Sequence, residues 1–254
     1  FAISRIGLKS VIVTMDADAT GRMSCNPAIG GLAKSHLVHE IDALGGIMSI
    51  AADHAGIQFK TLNISKGRAV RSLRVQADKK KYPKFVKSFL DNDKNVEIVE
   101  GEVVSFDVNN KAVSSLKLRS GDTIKCSGLI ITSGTFLNGL IHIGNKSFRA
   151  GRIGESSSVG LTEALRSFGF NTSRLKTGTP PRVLKKSIDW SLVDSSPGDV
   201  NPTPFSLFRT KRSIGSNVDS FSVNTNPSAH NILLDNLDSS PMFSGKIDAA
   251  GPRY

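Results

Sequence analysis

Between residues 96 and 126 the sequence alternates apolar and polar residues, and turn sequences interrupt this pattern. NNK separates VEIVEGEVVSFDV from AVSSLKL, and RSGD separates AVSSLKL from TIKCSGLIITSG. Alternation with a period of two is typical of strands that bury one face, and Asn, Gly and Asp favour the turns that join antiparallel strands. The segment therefore predicts an antiparallel β-meander that ends in a buried central strand.

Helical and strand patterns precede and follow the meander. The β-branched run SVIVTM at residues 10–15 predicts a buried strand, and residues 32–44 predict a helix with one buried apolar face. The residues of that face are Ala33, Leu37, Ile41 and Leu44. Residues 68–90 predict a mostly helical segment in which Pro83 kinks the helix or starts a new one, and residues 159–168 predict a short helix. Together these elements indicate an α/β protein.

The composition narrows the class of protein. The 254 residues are 39% apolar, carry a formal net charge of +11, and contain no apolar run long enough to span a bilayer and no signal-peptide pattern. The absence of an apolar span predicts a soluble protein. Two cysteines cannot form a disulfide framework, so a cytoplasmic location is expected. The positive charge favours a nucleic-acid partner. A generally basic surface, or a basic part of a larger protein, is the alternative.

The stretch MSCNPAIGG places a thiol and two glycines ahead of the helix predicted at 32–44. Gly30 and Gly31 would let a phosphate or the edge of a flavin approach the backbone, or they would simply form a tight loop with positive φ. Cys25 would be a reactive thiolate near a helix start, or a small buried side chain. Cys126, within a strand pattern, is expected to pack in the interior.

Two further stretches and the histidines bear on ligand binding. Ser133, Gly134 and Thr135 would follow the predicted central strand, at the end where α/β sheets bind ligands, although an ordinary strand-to-loop glycine is the alternative. KTGTPPR at 176–182 would contact phosphate or act as a hinge, and the composition changes after Lys176, which predicts a domain boundary there. The five histidines lack zinc spacing, so no metal site is expected.

Several long motifs together resemble the MnmG (GidA) family of tRNA-modification flavoenzymes. They are MSCNPAIGGLAKSHLVHEIDALGG, AGIQFKTLN, GTFLNGLIHIG, RLKTGTPPR, NLDSSPMFSG and GPRY, and they extend over nearly the whole chain. The resemblance implies a glutathione-reductase-like, Rossmann-type FAD-binding domain over residues 1–176, with its meander at about 96–126. Residues 177–254 would begin an inserted domain related to NAD and tRNA binding. The first strand and the GxGxxG loop would precede Phe1, so the chain is expected to be an internal piece that is inactive alone.

The resemblance also implies a reaction. With an MnmE-type GTPase, and as a homodimer, such enzymes add an aminomethyl or carboxymethylaminomethyl group to carbon 5 of the wobble uridine in tRNA. Methylene-tetrahydrofolate donates the carbon, FAD carries hydride and NADH is the reductant. One alternative is a folate- and FAD-dependent methyltransferase that acts on another tRNA uridine. The other is a catalytically silent chain that binds RNA or protein.

The motifs assign these roles to numbered residues. Cys25 would be catalytic. The residues expected to contact FAD are Asn26, Gly30, Gly31, Val103, Ser133, Gly134, Thr135 and Ser158. The residues expected to bind NAD are Gly251, Pro252, Arg253 and Tyr254.

Overall fold

The computed structural model of the protein describes residues 1–23, 26–208, 218–247 and 249. Helices and strands are mixed along the chain, which confirms the α/β prediction. The helices are α1 (Ala2–Arg5), α2 (Ser35–Ala43), α3 (Met48–Ala55), α4 (Lys81–Asp91), α5 (Leu161–Ser167) and α6 (Pro227–Asp235). None of the helices within these residues has the length and apolar character needed to cross a membrane.

The strands are mostly short. They are β1 (Ser10–Thr14), β2 (Ala28–Gly30), β3 (Gly56–Leu62), β4 (Ser72–Ala77), β5 (Val96–Glu100), β6 (Val103–Asn109), β7 (Ala112–Leu118), β8 (Thr123–Lys125), β9 (Leu140–Ile143), β10 (Lys146–Arg149), β11 (Asp194–Ser196) and β12 (Ser220–Ser222). The chain forms two compact units. The first contains residues 1–12, 16–99 and 183–223, and the second contains residues 13–15, 100–182 and 224–254.

The core of the first unit packs on an antiparallel sheet in the order β2-β4-β3. Phe59 and Val75 are register partners on its inner face, and both are fully buried. Alternate residues of a strand point to opposite faces. The residues directly before and after Phe59 in β3, and directly before and after Val75 in β4, therefore lie on the outer face. Phe205, from a distant part of the chain, also enters this core and is fully buried.

The second unit contains the predicted meander as the antiparallel sheet β6-β7-β8. Asn110 and Lys111 join β6 to β7 with φ of 50° and 64°. Two consecutive positive φ values are typical of the tight hairpin turn that NNK predicted. Phe106 and Leu116 are register partners and form a small core with Leu161 of α5. The expected meander is therefore confirmed for β6 to β8, whereas the preceding run forms β5, which pairs with β1 instead.

The predicted buried strands are only partly found. β1 forms where SVIVTM predicted a strand, but it is half-buried. The apolar run after Cys126 forms no strand, and Ile130 is 73% exposed. A strand needs a neighbour to satisfy its backbone hydrogen bonds, and within the described ranges none lies beside residues 129–132. Ser133, Gly134 and Thr135 therefore lie in a loop and not at the end of a strand.

The predicted buried face of α2 is also wrong. Leu37, Ile41 and Leu44 are 58%, 41% and 81% exposed, and the buried residues of this helix are Ser35, Val38 and Asp42. Ala33 is exposed and precedes the helix, with a φ of 56°. The apolar spacing identified the helix, but the inward face carries small and acidic side chains because Asp42 binds backbone groups of a distant segment.

The segment 68–90 also differs from its predicted structure, which was mostly helical. Residues 72–77 form β4, the central strand of the first sheet, and the helix begins only at Lys81. Burial of Ser72, Val75 and Ala77 between its two neighbouring strands stabilises the strand over the expected helix. Pro83 lies in the first turn of α4, where a missing N–H costs no hydrogen bond, so the prediction of a new helix at this proline is confirmed.

Candidate functional site

Part of the predicted site lies outside the described residues. Cys25 and the GPRY residues Gly251, Pro252, Arg253 and Tyr254 belong to this group, and their roles stay predictions. Asn26, which follows Cys25, is exposed, and its carbonyl accepts a hydrogen bond from the Ala28 N–H at 2.8 Å.

Gly30 and Gly31 turn the chain from β2 toward α2. Their φ values are 81° and 97°, so both residues need the left-handed region that glycine tolerates. A Cβ on Gly30 would lie 2.3 Å from the Leu73 carbonyl oxygen and 2.8 Å from the Phe205 ring. The position of a Cβ on Gly31 is open, with no atom within 4 Å. Gly30 therefore lies where the close packing of Leu73 and Phe205 leaves no room for a side chain. The space beside Gly31 is unoccupied.

In the second unit, Glu102 links two of the predicted FAD contacts. It precedes Val103, and its carboxylate accepts hydrogen bonds from Arg119 and, at 3.0 Å, from the Val159 N–H that follows Ser158. Hydrogen bonds from Arg119, from the Val159 amide and from the Ser158 hydroxyl hold the pKa of Glu102 below its ordinary value. This carboxylate therefore fixes the start of β6 against the segment that carries Ser158.

The loop at 133–139 packs on the same segment. The N–H of Ser158 donates to the Phe136 carbonyl at 2.8 Å, and its own carbonyl accepts from Asn138 at 2.8 Å. Gly134 has a φ of 59° and open space at its Cβ position. The N–H groups of Gly134 and Thr135 have no acceptor among the residues that the structure describes. The second unit thus brings the loop with Ser133, Gly134 and Thr135 next to Ser158, and Ser158 next to Val103.

The predicted site residues divide between the two units. Asn26, Gly30 and Gly31 belong to the first unit, and Val103, Ser158 and the 133–135 loop belong to the second. Across residues 1–23, 26–208, 218–247 and 249, no three His, Cys, Asp or Glu side chains cluster in a way that would hold a metal ion. The His39 ring packs against the Phe205 ring in a tilted arrangement, with centroids 4.9 Å apart.

Two buried carboxylates that the sequence analysis did not single out shape the first unit. Asp53 accepts hydrogen bonds from the N–H groups of Phe205 at 2.7 Å and Ser206 at 2.9 Å. Asp42 accepts from the Leu207 N–H at 2.7 Å and from the Ser206 hydroxyl. These carboxylates are 152 to 165 residues away from their partners, so no local spacing could have indicated the contact.

The sequence matches the family model described as Glucose inhibited division protein A over residues 1–254. A protein of Chlorobaculum tepidum named tRNA uridine 5-carboxymethylaminomethyl modification enzyme MnmG is 45% identical over 254 residues, which are 100% of this chain and 41% of that protein. A protein of the same name from Thermodesulfovibrio yellowstonii is 47% identical over 253 residues, which are 100% of this chain and 40% of that protein.

Solved structures agree with these matches. Two crystal forms of Aquifex aeolicus GidA are 43% identical in sequence and superimpose with TM-scores of 0.87 and 0.90. They cover 93% and 100% of this chain, and the match spans 40% and 43% of their own length. The chain thus spans about two fifths of the length of the relatives it matches.

Proposed function

Because the chain belongs to the family of Glucose inhibited division protein A (GidA), as its motifs predicted, we propose that it is part of an enzyme that modifies uridine in tRNA. The wobble uridine would receive an aminomethyl or carboxymethylaminomethyl group on carbon 5. The observation that carries this proposal is the match over all 254 residues, together with relatives whose names describe this modification. The net charge of +11 supports it, because RNA phosphates attract basic proteins without regard to sequence.

We further propose that residues 1–176 form a glutathione-reductase-like domain that holds FAD, and that residues 177–254 begin an inserted domain. The backbone around Gly134 and Thr135 fits such a group, because its N–H groups are free of described acceptors and Gly134 leaves room for close approach. Val103, Ser133 and Ser158 would contribute from the same unit. The proposed FAD contacts of Asn26, Gly30 and Gly31 rest on the family motif. Bound FAD would supply or accept hydride, with NADH as the reductant bound near Gly251, Pro252, Arg253 and Tyr254.

Cys25 is proposed as the nucleophile. Its thiolate would add to carbon 6 of the uracil and leave an electron pair at carbon 5. That pair would attack the methylene carbon of methylene-tetrahydrofolate while one of its two C–N bonds breaks and the released nitrogen takes up a proton. Loss of the proton on carbon 5 would then expel the thiolate and restore the C5–C6 double bond. The glycine pair that follows Cys25 gives the chain its turn into α2, and the open space at Gly31 leaves room for a ring at this loop.

The partners of the proposed enzyme are tRNA and an MnmE-type GTPase, and the proposed assembly is a homodimer in the cytoplasm. These proposals rest on membership of the family. The methyltransferase alternative would modify a different uridine, so the identity of the modified position distinguishes the two reactions.

The test replaces Cys25 with Ser in the complete protein. We expect the variant to keep its fold and its FAD absorbance but to lose modified wobble uridine, measured by mass spectrometry of nucleosides from tRNA. Cys126→Ser is the matched control, because Cys126 is partly buried against the small core beside β8. That variant should retain modification. Full modification by Cys25→Ser would contradict the nucleophile, and absence of wobble modification in the unaltered protein would contradict the proposed function.

A further inference from the structure

The outer face of the first sheet forms a polar pocket that none of the assigned roles uses. The cavity has a volume of about 170 Å³. The residues that line it are Gln58, Lys60, Leu62, Arg74, Gln76, Ser196 and Ser220. Apart from Leu62, they are cations, amides and hydroxyls, so the pocket offers mainly hydrogen-bond donors.

Two cations lie directly opposite one another in this pocket. Lys60 of β3 and Arg74 of β4 are register partners, and on its other side Arg74 pairs with Gly30 of β2. Like charges at directly opposed positions destabilise a sheet. Neither cation forms an ion pair with a carboxylate in the described part of the chain. An anion between them would remove this repulsion.

The wall of the pocket is held in place by buried hydrogen bonds. The Gln58 amide, which is buried, donates to the Ser196 carbonyl at 3.1 Å and to the Val218 carbonyl at 3.0 Å. These bonds fasten the paired strands β11 and β12, which carry Ser196 and Ser220, to the wall of the pocket. Lys60 donates one hydrogen bond to the Ser196 hydroxyl. The ammonium group therefore has a defined position and keeps two further N–H donors for a ligand.

We propose that this pocket binds a phosphate group. Arg74 has a planar guanidinium that can donate two parallel hydrogen bonds to phosphate oxygens, and Lys60 adds a point charge from the opposite strand. The Gln76 amide lies in the same pocket as a neutral donor. The phosphate belongs to the RNA backbone or to a free nucleotide. The site goes beyond the proposed function, because phosphate binding here does not depend on any modification of tRNA.

The test uses the complete protein with Arg74→Gln and Lys60→Gln. The probes are inorganic phosphate and adenosine monophosphate, measured by calorimetry at low salt, and an unmodified tRNA transcript, measured by filter binding at several salt concentrations. Each variant should bind inorganic phosphate about tenfold more weakly, because one charge-assisted contact is lost. If the natural source is RNA, the slope of tRNA binding against salt should fall by about one in each variant. If the source is a nucleotide, affinity for adenosine monophosphate should fall and the tRNA slope should stay unchanged.

Two further variants serve as controls. Lys111→Gln removes an exposed lysine from the β6–β7 turn and should leave phosphate affinity unchanged. Arg74→Lys keeps the charge and should retain more phosphate affinity than Arg74→Gln. Equal phosphate affinity in Arg74→Gln and Lys111→Gln would overturn the site, as would the absence of phosphate binding by the unaltered protein. Neither result depends on whether tRNA is modified, so failure of the site and failure of the proposed function are distinguishable.

Discussion

Replacing Asp53 with Ala should release the segment at Phe205 from the core of the first unit. Asp53 is 4% exposed, and its two oxygens accept the N–H groups of Phe205 and Ser206, which are 0% and 2% exposed. A buried donor that loses its partner costs about 1–3 kcal/mol, so two such donors should cost about 4 kcal/mol. Asp53→Asn keeps one acceptor oxygen and should cost about 2 kcal/mol on the same scale.

Hydrogen exchange at the amides of residues 205–207 measures this loss directly, because exchange there requires local opening of the segment. A factor of ten corresponds to about 1.4 kcal/mol, so Asp53→Asn should raise the exchange rate roughly 30-fold and Asp53→Ala roughly 1,000-fold, up to the limit set by global unfolding. Asp91→Ala is the control, because Asp91 is exposed at the end of α4. Equal exchange at 205–207 in Asp53→Ala and Asp91→Ala would refute the role of the buried carboxylate.

The remaining predictions concern the glycine pair and Glu102. Gly30→Ala should lower the free energy of unfolding by more than about 3 kcal/mol because its Cβ meets the Leu73 carbonyl, whereas Gly31→Ala should cost only the left-handed strain of about 1–2 kcal/mol. Urea denaturation compares them, and equal losses would contradict the packing at Gly30. Glu102→Gln should lower the free energy of unfolding by at most about 1 kcal/mol at pH 7, because the charged pair with Arg119 that it removes is partly exposed to solvent. The folded-state pKa of Glu102 lies below its ordinary value of 4.5, so its stabilising contribution is present above that pH and disappears as the pH falls through the folded-state pKa. The difference in Tm between the two proteins should therefore shrink on acidification, and a constant difference down to low pH would contradict the assignment.

Local patterns predicted the elements more reliably than their surroundings. The spacing of apolar residues correctly predicted the helix α2, but the face that it predicted to be buried is exposed. The buried face is instead the one that carries Val38 and Asp42, which contact other parts of the first unit. The apolar run at 129–132 had the composition of a buried strand, yet the described structure offers it no neighbour to pair with. Residues 72–77 had a helical expectation and became a central strand, because β2 and β3 lie on either side of it. In each case contacts with distant residues outweighed local preference.

The candidate site shows the same division. A tight loop with positive φ was one prediction for Gly30 and Gly31, and both have positive φ. Gly134 also has positive φ, which the sequence did not predict. Family motifs pointed to Val103 and Ser158, but only the structure shows that Glu102 joins them. The alternation of polar and apolar residues in GIQFKTL and SLRVQA could have indicated the polar residues of the proposed phosphate pocket. Its meaning depended on the register that places Lys60 opposite Arg74.

The sequence by itself determined the family, the β-meander with its tight turn, the positions of α2 and α5, and the glycine pair at residues 30 and 31 that adopts positive φ. These properties follow from preferences of a few neighbouring residues and from motifs that can be read along the chain. Only the tertiary structure decided which helix face is buried, which strands pair, and which backbone groups Asp42 and Asp53 bind. Such contacts join residues more than 150 positions apart, and their stability comes from burial and from hydrogen bonds that exist only once the chain has closed those long loops.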